Sequence, residues 1–160
     1  FTLNTLHMTP SQNAFLFTIF GAVGLFAQTF LVGPATKKLG MKKGFTGAML
    51  ATAIALAVMS IASVYVFIGA MIILALVNSL AQTLLPTILS QEADAKSQGS
   101  IMGLNSSYQS IGMIIGPLLG GAIATVSIPL TFLAGGILIF GCFLLSFRVL
   151  KPGMKKESAF

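Results

Sequence analysis

Five strongly polar but uncharged side chains stand inside otherwise apolar stretches of the chain: Gln28, Asn78, Gln82, Asn105 and Gln109. An amide carries both hydrogen-bond donors and an acceptor without a fixed charge. Surrounded by hydrocarbon it loses its partners, so it must turn toward other helices, water or a guest molecule. Asn78 and Gln82 are four residues apart and share one helix face, as do Asn105 and Gln109. Spacing alone leaves two uses open, tying helices together or hydrogen-bonding a bound compound.

Other reactive groups are few. Glu92 and Asp94 are of the type that serves acid–base catalysis. They sit beside Lys96 at the border of an apolar run with no histidine near, and read as a solvated hinge. His7, the one histidine, reads as a loop residue rather than a proton sensor. Cys142, the one cysteine, permits no intrachain disulfide and has no metal-ligand spacing, and is expected to be a buried, inert thiol. With no metal cluster, nucleophile–base set or phosphate loop, the chain does not read as an enzyme, and no metal or cofactor is expected.

These residues must be positioned by elements that live in lipid. Only 8% of the residues are charged and 56% are hydrophobic, whereas a soluble domain needs roughly a quarter of its residues charged. The expected class is therefore all-α, an integral membrane bundle. Apolar runs of about membrane length cover residues 14–33, 45–62, 66–89, 100–125 and 130–147. A stop is expected at Gly33-Pro34, a kink at Pro86 and a helix start near Pro10. The second run carries nothing chemical and reads as a lipid-facing or packing helix. The chain opens on Phe1 with no leader-like pattern, and reads as a piece of a longer protein.

The net charge of +6 does not indicate nucleic acid, because the cations form short clusters between the spans. Every Lys and Arg falls in residues 35–43, in 90–98 or after Phe147. The first cluster holds Lys37, Lys38, Lys42 and Lys43 around Gly40, and the tail adds Arg148, Lys151, Lys155 and Lys156 beside Glu157. Under the positive-inside rule these segments face the cytoplasm, leaving the N-terminal end outside.

The run from Gly99 to Gly121 has the most ordered pattern. At about 100° per residue, Gly99, Gly103, Ser106 and Ser110 share one face, with Pro117 nearby. Asn105, Gln109, Gly112, Gly116 and Gly120 share another. A stripe without Cβ bulk lets backbones approach closely in lipid, so this helix is expected to be packed and to border a cavity.

Three stretches resemble the major facilitator superfamily, in particular its tetracycline and multidrug drug–proton antiporters. Gly33 to Lys43 is similar to the signature loop between the second and third helices of each half; Gly40 and Lys42 keep their places, while Lys37 stands where an Asp is usual. Pro86 to Gly103 resembles the passage ending QGxxxG, here Gln98 to Gly103. Gly112, Gly116, Pro117, Gly120 and Gly121 match GxxxGPxxGG, a pattern associated with antiporters.

The resemblance implies twelve helices in two six-helix halves around a central cavity, with these spans suiting helices 8–12 of the C-terminal half. Gln28, Asn78, Gln82, Asn105, Tyr108 and Gln109 would then border the cavity, where neutral amides suit amphipathic or cationic organic substrates. The glycine–proline pattern would be a seal or hinge, and the lysine loop a gate or a topology signal. A proton gradient is the implied energy source. No span holds a carboxylate, His, Lys or Arg, so the titratable group of a proton-coupled pump is expected among helices outside this chain. The partners implied are a small-molecule substrate, the lipid of the cell membrane and the remaining transporter helices. Uptake of a sugar or other metabolite, and a non-transporting membrane scaffold, stay as alternatives.

Overall fold

The computed structural model describes residues 9–61 and 63–149. Five helices, each long and apolar enough to cross a membrane, make up the described chain: α1 (Pro10–Leu39), α2 (Met41–Met59), α3 (Val64–Glu92), α4 (Gln98–Val126) and α5 (Ile128–Val149). His7 and the tail residues Lys151, Lys155, Lys156 and Glu157 lie outside the described residues.

α1 begins as the sequence suggests. Thr9 caps it, accepting from the Gln12 backbone N–H at 3.3 Å while the Gln12 side chain accepts from Thr9 N at 2.8 Å, with Pro10 in the first turn. The expected stop at Gly33-Pro34 does not occur. A π-helical segment, Ala27–Leu31, loosens the helix just before it, and the Val32 N–H bonds back to the Ala27 carbonyl. Pro34 then falls in the first turn of the resumed α-helix Val32–Leu39, where a missing N–H removes little.

Consequently the basic segment is hardly a loop. Lys37 and Lys38 occupy the last turn of α1, and Lys42 and Lys43 the first turn of α2. Gly40 alone separates them, at φ +75°, a conformation that costs residues with a Cβ. Lys37 and Lys38 sit favourably at a helix C-terminus, whereas Lys42 opposes the α2 dipole. Glu92 offsets this, with Oε1 2.7 Å from Lys42 Nζ. Pro86 lies inside the unbroken α3, and Ser127 alone parts α4 from α5.

Close packing centres on α2, which buries Gly44, Ala48, Ala53, Ala55 and Met59 against α3 and α5. Its small residues let the backbones meet. A Cβ at Gly136 of α5 would lie 3.1 Å from the Ala53 carbonyl oxygen, and one at Gly44 would lie 3.3 Å from Leu84 Cδ1. At the other end of the bundle Leu16, Met59, Phe67 and Ala70 form a buried cluster, and Phe67 meets Phe132 edge-on at 6.2 Å.

Two expectations need correction. α4 is not closely packed within this chain: it touches α3 and α5 but buries no residue, and a Cβ at Gly112, Gly116 or Gly121 would meet nothing within 4 Å. Of its glycine pattern only Gly120 approaches a neighbour, with Thr131 Cγ2 at 3.7 Å from a Cβ built there. Cys142 is exposed rather than buried, although Ser146, one turn further along α5, is buried.

Candidate functional site

The sequence-selected amides come together on one side of the bundle. Gln28 of α1 and Asn78 and Gln82 of α3 line a hollow of about 460 Å³, with Gly21, Gly24 and Ser79. Gln82 also lines a second hollow of about 370 Å³, with Asn105, Tyr108 and Gln109 of α4 and Phe45 of α2. Pro86 is the other residue common to both. The two spaces thus adjoin along α3, with Gln82 between them. Each falls within the range of roughly 300–1,000 Å³ typical of small-molecule sites.

Local sequence explains the arrangement. Gly21, Gly24 and Gln28 recur at helical spacing, so one face of α1 is open at two positions and polar at the third. Asn78 and Gln82 are one turn apart on α3, with Pro86 one turn further; Asn105 and Gln109 repeat that interval on α4. None of these five amides hydrogen-bonds through its side chain to another described residue. Asn78 and Asn105 are half-buried, and Gln28, Gln82 and Gln109 exposed. Their donors and acceptors therefore remain available to a guest or to water, as amides that only tied these helices together would not.

The π-helical segment of α1 begins at this wall. The Ser79 hydroxyl donates to the Gly24 carbonyl at 3.2 Å, joining α3 to α1 where the regular ladder loosens. Sequence reasoning missed Phe45 and Phe20, since an aromatic in an apolar run carries no signal that it faces a hollow.

The other selected residues do not join this site. Gly112, Gly116, Pro117 and Gly121 are exposed along α4 beyond Gln109, and Gly120 is half-buried. Gly33 is exposed near the end of α1. Lys37, Lys38 and Lys43 are exposed at the joint around Gly40, and Lys42 is held by Glu92. Among the described residues no group of three or more His, Cys, Asp or Glu could hold a metal ion.

Comparison with known proteins supplies the context. Multidrug resistance protein 2 of Bacillus subtilis (strain 168) is 36% identical over 139 residues, covering 83% of this chain and 34% of the relative. The class C tetracycline resistance protein of Escherichia coli is 29% identical over 128 residues, covering 78% of this chain and 32% of the relative. The chain thus spans about a third of the length of the curated relatives it matches. No solved structure matches it significantly. The family model of the Major Facilitator Superfamily matches residues 1–160. With apolar helices of spanning length and two amide-lined hollows already in view, that match over the whole sequence makes the chain a member of the Major Facilitator Superfamily, a family of membrane transporters and not of enzymes.

Proposed function

We propose that the intact protein exports drugs or other small amphipathic organic molecules by alternating access, driven by the proton gradient. The observation that supports this reading is the gathering of Gln28, Asn78, Gln82, Asn105, Tyr108 and Gln109 along two adjoining hollows. Unpaired neutral amides set in apolar walls hydrogen-bond a guest without demanding a counter-charge, which suits neutral and cationic amphiphiles. The printed names of both relatives, one multidrug and one tetracycline resistance protein, point the same way.

In this reading the helices correspond to helices 8–12 of a twelve-helix transporter in the cell membrane. The ends bearing Lys37, Lys38, Lys42, Lys43, Lys96 and Arg148 face the cytoplasm, and the end carrying Thr9 faces out. The coupled proton is carried by a group on helices outside this chain, since no described residue at mid-depth is a carboxylate, His, Lys or Arg. The unpartnered glycine face of α4 meets those same helices.

The test is dye accumulation in cells expressing the full-length protein. Accumulation of several cationic dyes falls on expression and recovers when a protonophore is added. Unchanged accumulation of every dye, together with altered uptake of one sugar or other metabolite, would replace export of amphiphiles by metabolite transport.

A further inference from the structure

A third hollow, of about 710 Å³, shares no lining residue with the two described above. It opens between the start of α2, through Lys43, Gly47 and Leu50, and the end of α5, through Phe143, Ser146 and Phe147. We propose that it binds an anionic phospholipid of the surrounding bilayer, the phosphate on Lys43 and an acyl chain along the two phenylalanines.

The chemistry of the groove is graded along its length. Lys43, at the mouth, is exposed and makes no ion pair with a described residue, whereas Lys42 beside it is already held by Glu92. Leu50 follows seven residues later on α2, roughly 10 Å deeper along a helix rising 1.5 Å per residue. The opposite wall is aromatic, with the Phe143 and Phe147 rings in edge contact at 4.8 Å between centroids. The hydroxyls between these walls are spent inside the protein: Ser146 donates to the Phe143 carbonyl at 2.8 Å and Thr46 to the Lys42 carbonyl at 3.0 Å. What remains for a guest is one cation at the mouth and hydrocarbon below it.

Charge complementarity selects the occupant. The described cations at this end of the bundle are Lys37, Lys38, Lys42, Lys43, Lys96 and Arg148, against Glu92 and Asp94. A positive mouth above an apolar slot between membrane helices matches an anionic headgroup with its chain. A soluble anion would use only the lysine, and a zwitterionic lipid would bring a phosphate already offset by its own ammonium, leaving less attraction for the positive mouth. Gly47 keeps the middle open, because a Cβ there would meet nothing within 4 Å.

The experiment uses the full-length protein, purified in detergent and offered phosphatidylglycerol or phosphatidylcholine, with bound lipid counted by native mass spectrometry. The wild type retains phosphatidylglycerol in preference to phosphatidylcholine. Lys43→Gln lowers that retention about fivefold, the effect of one basic residue at a membrane surface. Gly47→Leu, which fills the slot with a good helix former, lowers it at least as far while leaving thermal stability unchanged. If that variant does not fold, the lysine variant carries the test. Equal retention of both lipids by the wild type, or unchanged phosphatidylglycerol retention in Lys43→Gln, overturns the proposal. So does phosphatidylglycerol binding that arises only after deletion of the residues beyond Val149, which would make the tail the occupant. Dye export, read in parallel, reports on the amide-lined hollows, so failure here leaves the proposed transport function standing.

Discussion

Lys42 Nζ lies 2.7 Å from Glu92 Oε1, and this ion pair fastens the first turn of α2 to the last turn of α3. Both side chains are about half exposed, at 42% and 54%, so water screens most of their attraction. A double-mutant cycle with Lys42→Gln and Glu92→Gln, read by thermal unfolding of the full-length protein in detergent, should give a coupling below about 1 kcal/mol. The coupling should shrink further as salt is raised. A value well above that range would mean that helices outside this chain cover the pair.

Gly136 and Gly116 predict opposite responses to the same methyl group. At Gly136 a Cβ would sit 3.1 Å from the Ala53 carbonyl oxygen and 3.5 Å from the Ala57 nitrogen, backbone atoms that cannot swing aside. Gly136→Ala should therefore destabilise the protein by about 1–3 kcal/mol, the usual cost of overpacking. At Gly116 a Cβ meets nothing within 4 Å, so alanine leaves the packing of these helices intact. In the full-length protein, Gly136→Ala should lower the melting temperature more than Gly116→Ala does. The reverse order would place the tighter contact on α4, against helices not in this chain.

Gln82 lines both polar hollows, so its loss should be felt by more than one compound. Removing one hydrogen-bonding group, worth about 0.5–1.5 kcal/mol, should raise KM for chemically different substrates of Gln82→Ala several-fold, with thermal stability unchanged. A fall in stability with unaltered KM would instead mark the residue as a tie between helices in the intact protein.

Ser97 and Ser127 stand in the connections at opposite ends of α4. In a background with Cys142 and any cysteine outside this chain replaced by serine, an impermeant maleimide applied to intact cells should label Ser127→Cys and spare Ser97→Cys until the membrane is opened. The opposite labelling would invert the proposed orientation.

Much of this architecture was legible because lipid imposes a blunt rule on sequence. A residue run either satisfies hydrocarbon or it does not, so the five spans could be read from apolar length, with the cations clustered between them. The amide pairs were legible for the same reason: Asn78 with Gln82, and Asn105 with Gln109, have few tolerable directions at depth. Boundaries were less so. Gly33-Pro34 is a stop signal locally, yet the π-helical segment before it carries the helix on to Leu39, a relaxation that no residue type announces.

The sequence by itself determined the solvent of this protein and its helices, because burial of polar groups in hydrocarbon has a large one-residue cost. Only the tertiary structure decided which small residues make contact. The glycine stripe of α4 looks built for close approach, yet the alanines of α2 and Gly136 of α5 make it within this chain. A smooth face permits packing without choosing a partner, and that choice depends on which helices surround it. The same holds for Gln82: its type demanded an interior, but only the placement of α1 and α4 on either side of α3 made it common to two hollows.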